Sequence, residues 1–131
     1  MLLEQALTHR SFAFERRPYL LHNERLELLG DSVLGLIVTH ILIDRYPDHQ
    51  EGELSKARSA IVSEGALSKM ATELQLSEVM RLGKGELSSG GAQKPRLLAS
   101  VFEALVGAVY LDGGLAAAEV MVRERIEQVL N

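Results

Sequence analysis

Three observations predict an all-α fold. Apolar residues recur at helical spacing along most of the chain, and the strict alternation of a half-buried strand is absent throughout. The punctuation also belongs to helices: Asn23 stands before one apolar stretch and Pro47 after it, Pro95 opens another, and Asp112-Gly113-Gly114 closes that one. Finally, 131 residues at 47% hydrophobic make one domain, residues 1–131, with enough chain for a real core. There is no repeat or low-complexity tract to divide it.

The elements follow in order. Leu2 to Leu7 predicts one or two helical turns, broken by the polar Thr8-His9-Arg10-Ser11. Phe12 to Leu21, built around two arginines and Pro18, predicts a loop. Asn23 suits the N-cap of a long helix that runs to about Tyr46, where Pro47 stops it. Asp48-His49-Gln50-Glu51 has capping-box spacing, with Asp48 at the N-cap and Glu51 at N3 of a helix carrying Leu54, Ala57, Arg58, Ile61 and Val62. After a break near Ser63-Glu64-Gly65, another helix carries Leu67, Met70, Ala71 and Leu74. Gly83 to Pro95 predicts one long loop, without the Gly-Lys-Ser/Thr of a phosphate-cradling motif. Arg96 to Leu111 predicts a core helix bearing Leu98, Val101, Phe102, Leu105, Val106 and Val109. Leu115 to Leu130 predicts a last, amphipathic helix with Val120, Ile126 and Val129 inward and Arg123, Glu124 and Arg125 outward.

The chemistry concentrates on Asn23 to Leu36, NERLELLGDSVLGL. On a helix Glu24, Glu27 and Asp31 fall at i, i+3 and i+7, which stacks three carboxylates on one face. Beyond Asp31 the helix is apolar all round, as in a buried core helix. Acidic groups at the mouth of such a helix need compensation, which a divalent cation would supply. Glu103 lies in a second apolar helix with Ala99 and Gly107 on its face, and Gly30 adjoins Asp31. Small residues let two helices approach closely, so a crossing here would bring Glu103 to Glu27 and Asp31. Oxygen ligands with room for water suit Mg²⁺ or Mn²⁺. The plainer alternative is that each carboxylate caps a helix or pairs with an arginine, and for Glu51 the capping box already accounts for it.

Composition narrows the function classes. Without cysteine, neither disulfides nor thiolate metal sites are available. Met1 to Gln5 lacks the basic region of a signal peptide. The apolar run from Val33 to Ile43 is shorter than the ~20 residues of a membrane span. His9, His22, His40 and His49 form no close ligand pair, and no Gly-x-Ser-x-Gly elbow is present. A formal charge of −4 opposes nucleic-acid binding unless metal ions and local basic clusters overcome it.

Asn23 to Leu34, NERLELLGDSVL, resembles the signature of the ribonuclease III family, usually NERLEFLGDSVL. Gln5 to Ser11 (QALTHRS), Leu82 to Glu86 (LGKGE) with Ser89 to Gly91, and Leu97 to Gly114 (LLASVFEALVGAVYLDGG) resemble further family segments, in the family's order. The resemblance covers essentially the whole chain and implies the nuclease domain alone: the start of that domain and the double-stranded-RNA-binding domain that usually follows are expected to be missing. It implies an all-helical, homodimeric endoribonuclease, cytoplasmic and active in RNA processing, rRNA included. Such an enzyme cuts double-stranded RNA to 5′-phosphate and 3′-hydroxyl ends with short 3′ overhangs. By the same resemblance Glu27, Asp31 and Glu103 are metal-binding or catalytic carboxylates, Glu51 is a further acidic residue of the cleft, and Mg²⁺ is the cofactor, with Mn²⁺ able to substitute. No membrane and no small-molecule cofactor is implied.

Two departures stand out. Leu28 replaces a usual phenylalanine that plugs a socket in the partner subunit, so a dimer of slightly different fit is expected. Ser100 replaces a usual aspartate metal ligand, which removes one charged contact. Candidate RNA-backbone contacts are Arg10, Lys56, Arg58, Lys84, Lys94 and Arg96, with ordinary surface charge as the alternative for each. Double-stranded RNA is recognised by shape, phosphates and 2′-hydroxyls, so no base-reading motif is needed. The competing functions are a catalytically weak or inactive scaffold, favoured by Ser100; a plain RNA-binding module, which would not need carboxylates facing a polyanion; and a DNA-binding helical regulator, opposed by the negative charge and the lack of a basic recognition helix.

Overall fold

The computed structural model describes residues 1–130. They form α1 (Leu2–Leu7), α2 (Arg10–Phe14), α3 (Glu24–Arg45), α4 (Glu51–Ile61), α5 (Glu64–Glu73), α6 (Lys84–Ser88) and α7 (Pro95–Leu130), with 3-10 turns at Leu76–Glu78 and Gly91–Gln93. The fold is all-α. An isolated parallel bridge joins Thr8 to Arg81, and no strand forms among the described residues.

The crossing of α3 and α7 organises the domain. A methyl group on Gly30 would lie 1.6 Å from the carbonyl oxygen of Glu103, and one on Gly107 would lie 2.3 Å from that of Leu26. The two backbones are therefore in contact, an approach that no larger residue permits. Around this point Leu34, Ile37, Val38 and Ile41 of α3 bury against Phe102 and Val106 of α7, with Leu67, Met70 and Ala71 of α5 closing the core. A smaller cluster of Ala6, Leu26, Ala104 and Ala108 seats α1 beside the crossing. By length and composition alone α3 and α7 would each pass for membrane spans. Here each supplies the apolar surface that buries the other.

Pro95 occupies the first position of α7, as expected. The helix breaks at Gly114, whose φ of 82° favours glycine, and resumes at once. Its second arm returns along the core through Ala118, Val122 and Ile126, four residues apart on one stripe. This corrects the expected inward set. Ile126 is inward, but Val120 points away on the opposite face and Val129, in the last turn, is half exposed. The arm is tied to the end of α3 by the Arg45–Glu127 ion pair.

Other expectations are corrected too. Residues 10–14 of the expected break and loop are helical, because the His9 side chain accepts from Ser11 N–H and caps a short turn. The capping box of α4 uses Gln50 and Glu53 rather than Asp48 and Glu51. Glu51 is thus the first residue of α4, so the box does not account for it. The Gly83–Pro95 loop contains α6, whose first N–H, at Lys84, donates to the Glu15 carboxylate at 2.8 Å. Asn23 stands at the N-cap of α3, but its buried amide donates to the Ala6 carbonyl at 3.0 Å instead of capping. Nor is α3 buried all round beyond Asp31, since Leu36 and Ile43 are exposed.

Candidate active site

The Gly30–Gly107 contact sets the site. With the backbones touching there, Glu27 and Asp31, one turn apart on α3, face Ser100 and Glu103, one turn apart on α7. All four line one cavity of about 570 Å³. Leu28 stands at its edge, 72% exposed. The expected convergence of Glu27, Asp31 and Glu103 on one place is therefore what the fold builds.

Their arrangement is pairwise. Ser100 Oγ donates to Glu27 Oε1 at 3.1 Å. Glu103 shares a hydrogen bond with Asp31. Burial, that hydrogen bond and the charges of Asp31 and Glu27 push the Glu103 carboxyl up to about 8, so at neutral pH it keeps its proton and donates it to Asp31. Asp31 itself is exposed, at the mouth of the helix.

By chemistry this donor set fits a hard divalent cation: three carboxylates and a hydroxyl, all oxygen, beside solvent that would supply further ligands. As the side chains stand, no three His, Cys, Asp or Glu residues form a metal-holding group among those described. The side chains are instead satisfied two by two, Glu103 with Asp31 and Glu27 with the Ser100 hydroxyl. Loading a metal requires Glu103 to give up that proton.

The basic candidates divide by place. Arg10 and Arg96 line the carboxylate cavity, and Arg10 lies 3.6 Å from Glu24. Lys94 is held by Glu86 at 2.7 Å, below α6. Lys84 is exposed next to Arg16 and Arg17. Lys56 and Arg58 sit on α4 by separate depressions that they share with Glu51, and Arg58 donates to Thr39 Oγ1 at 3.3 Å. Within one subunit, then, Glu51 is not among the residues lining the carboxylate cavity. The residue passed over is His9, which lines that cavity. Its sequence signal was a histidine one residue before a helix start, hidden because Thr8 to Ser11 reads as a polar break.

Comparison with known proteins places this geometry. The sequence model of the family described as Ribonuclease-III-like matches residues 1–130. The chain belongs to the ribonuclease III family. It is 56% identical over 123 residues to Ribonuclease 3 of Bdellovibrio bacteriovorus, covering 94% of this chain and 53% of that protein. It is 52% identical over 128 residues to Ribonuclease 3 of Variovorax paradoxus, covering 98% and 54%. The chain thus spans about half the length of these relatives. Among solved structures, the nuclease domain of ribonuclease III from Campylobacter jejuni superposes with a TM-score of 0.89 at 39% identity, covering 97% of this chain and 85% of that one. That structure was described for flexibility in a region involved in its dimer formation. The signature NERLELLGDSVL of a ribonuclease III nuclease domain is here the helical segment that carries Glu27, Leu28 and Asp31.

Proposed function

We propose that this ribonuclease III domain is a metal-dependent endoribonuclease that hydrolyses double-stranded RNA to 5′-phosphate and 3′-hydroxyl ends with short 3′ overhangs. The observation that carries the reading is the meeting of Glu27, Asp31 and Glu103 in one cavity flanked by Arg10 and Arg96. Carboxylates alone would repel an RNA backbone, so their gathering makes sense with a cation between them and the phosphate.

Glu27, Asp31 and Glu103, with the Ser100 hydroxyl, would hold Mg²⁺, or Mn²⁺ in its place. When bound, the ion neutralises the carboxylates and the phosphate and makes an attacking water more acidic. Asp31, exposed in the cavity and freed of the proton that Glu103 gives up, is placed to take the water's proton. The water oxygen bonds to phosphorus, the bond from phosphorus to the 3′-oxygen breaks, and that oxygen leaves taking a proton from solvent while the 5′ side keeps the phosphate. Arg10 and Arg96 bind flanking phosphates; the more distant Lys56, Arg58, Lys84 and Lys94 would extend the track. Glu51, apart from the cavity, has no assigned step within one subunit.

A symmetric homodimer completes the proposal. Leu28 is 72% exposed at the cavity's edge, and a two-fold interface would bury it twice. Leu28→Glu is expected to sediment as a monomer, and a parent that is already monomeric at tens of micromolar rejects the dimer. The cellular setting that follows is cytoplasmic RNA processing.

The second reading, a weak or inactive double-stranded-RNA-binding scaffold, draws on Ser100: a neutral hydroxyl ties up Glu27 where a charged ligand would help hold a cation. Incubating a long RNA duplex with the protein in Mg²⁺, Mn²⁺ or EDTA separates the two. Cleavage in both metals but not in EDTA supports the enzyme, and binding without cleavage in any of them supports the scaffold.

A further inference from the structure

His9 has two nitrogens with different fates. Ser11 N–H donates to His9 Nδ1 at 3.1 Å. A backbone N–H is always a donor, so Nδ1 must be the acceptor and the neutral ring carries its proton on Nε2. Ser11 Oγ, 2.7 Å from the same Nδ1, itself receives Gly83 N–H at 2.9 Å, which orients its own hydroxyl proton toward the ring. Two donors thus hold the tautomer and the ring plane. Burial lowers the imidazole's pKa, which agrees with a neutral ring.

Nε2–H has no hydrogen-bond partner among the described residues. No buried side-chain nitrogen or oxygen is left without one, so Nε2 is open to solvent, and the ring lines the carboxylate cavity. Capping α2 uses Nδ1 alone, and an Asn or Ser would cap as well. The imidazole adds only the donor at its far end, in a cavity whose wall it shares with the cationic side chains of Arg10 and Arg96.

We propose that His9 donates a hydrogen bond from Nε2 to a non-bridging phosphate oxygen of the RNA strand that crosses this cavity. The inference rests on the RNA reading above and adds a substrate-contacting residue to it. A neutral donor here has a specific use. It grips the phosphate without pairing with the carboxylates, as another arginine or lysine would.

The test is duplex binding, which does not depend on turnover. In low salt with Ca²⁺, a hard cation that would neutralise the carboxylates, a labelled RNA duplex is expected to bind His9→Asn about tenfold more weakly than the parent, the scale of one hydrogen bond to a charged group. The unfolding midpoint should stay near the parent's, since Asn preserves the cap. Ser11→Ala loses the hydroxyl relay but keeps the N–H that sets the tautomer, so it should melt earlier yet bind within about twofold. If His9→Asn does not fold, ¹⁵N-histidine NMR of the parent reads the contact directly, as a shift of the His9 Nε2 resonance on adding duplex. Parent-like binding by His9→Asn, affinity that tracks melting in both variants, an unmoved Nε2 resonance or a parent that binds no duplex each overturns the proposal. Cleavage by the parent in Mg²⁺ is scored separately, so an active enzyme indifferent to His9 refutes this contact and leaves the nuclease reading standing.

Discussion

Two side-chain pairs in the cavity come from the same two helices, one turn apart, and differ chiefly in what α7 supplies, a carboxyl in one and a hydroxyl in the other. On one side Asp31 meets Glu103, whose carboxyl is pushed up to about 8 by burial, by the hydrogen bond to Asp31 and by the nearby charges. On the other Glu27 meets Ser100, and a hydroxyl satisfies the carboxylate with no proton to displace. The acid–acid half therefore competes with a cation through its proton, whereas the acid–serine half offers the cation one charge fewer. On the metal-dependent reading proposed above, affinity for the ion would be set by both costs, and each can be moved independently.

Glu103→Gln tests the first half and carries the largest expected effect. It keeps shape and removes the charge, so the protein should fold while cleavage falls about 10³-fold, the scale of several kcal/mol of lost metal-assisted stabilisation. Cleavage at the parent's rate would remove Glu103 from the site.

Gly30→Ala attacks what holds both halves together. Its methyl would meet the Glu103 carbonyl at 1.6 Å, so the helices must separate, at a cost of about 3 kcal/mol in chemical denaturation. Gly35→Ala, on the same helix with nothing within 4 Å, should be neutral or up to about 1 kcal/mol stabilising. Equal effects at the two positions would mean that the close crossing is not what positions the carboxylates.

Ser100→Asp converts the serine half into a second acid–acid half. One further charged ligand should lower the Mg²⁺ concentration for half-maximal cleavage about tenfold. If neighbouring groups have instead adapted to serine, a fourth carboxylate only adds repulsion, and the titration of the variant will be unchanged or worse.

The smallest effect concerns the shared proton itself. The Glu103 carboxyl, near 8 in the folded protein against an ordinary 4.5, holds a proton that the unfolded chain has lost anywhere between those values. Stability contributed by that proton is complete below about pH 4.5 and is lost as pH rises through about 8. The loss is on the order of 1–2 kcal/mol once solvent screening at this half-exposed site is allowed for. In EDTA, melting of the parent should decline across that window, and Glu103→Gln should decline less. Parallel curves would place the proton elsewhere.

By itself the sequence determined the helical class, the partnership of α3 with α7 and which three carboxylates meet at their crossing. These rest on local signals: apolar periodicity, Pro47 and Pro95 at helix boundaries, and small residues at 30 and 107 where backbones must touch. Tertiary structure alone decided the rest, because those outcomes depend on partners distant in sequence. The Asn23 amide reaches Ala6 instead of its own helix, and α6 forms where its first N–H finds Glu15. Val120 is exposed because the returning arm of α7 turns the stripe of Ala118 and Val122 inward. The pairing inside the cavity is of the same kind. Glu27 and Asp31 lie far along the chain from Ser100 and Glu103, and only the Gly30–Gly107 contact decides which of them shares a proton and which accepts a hydroxyl.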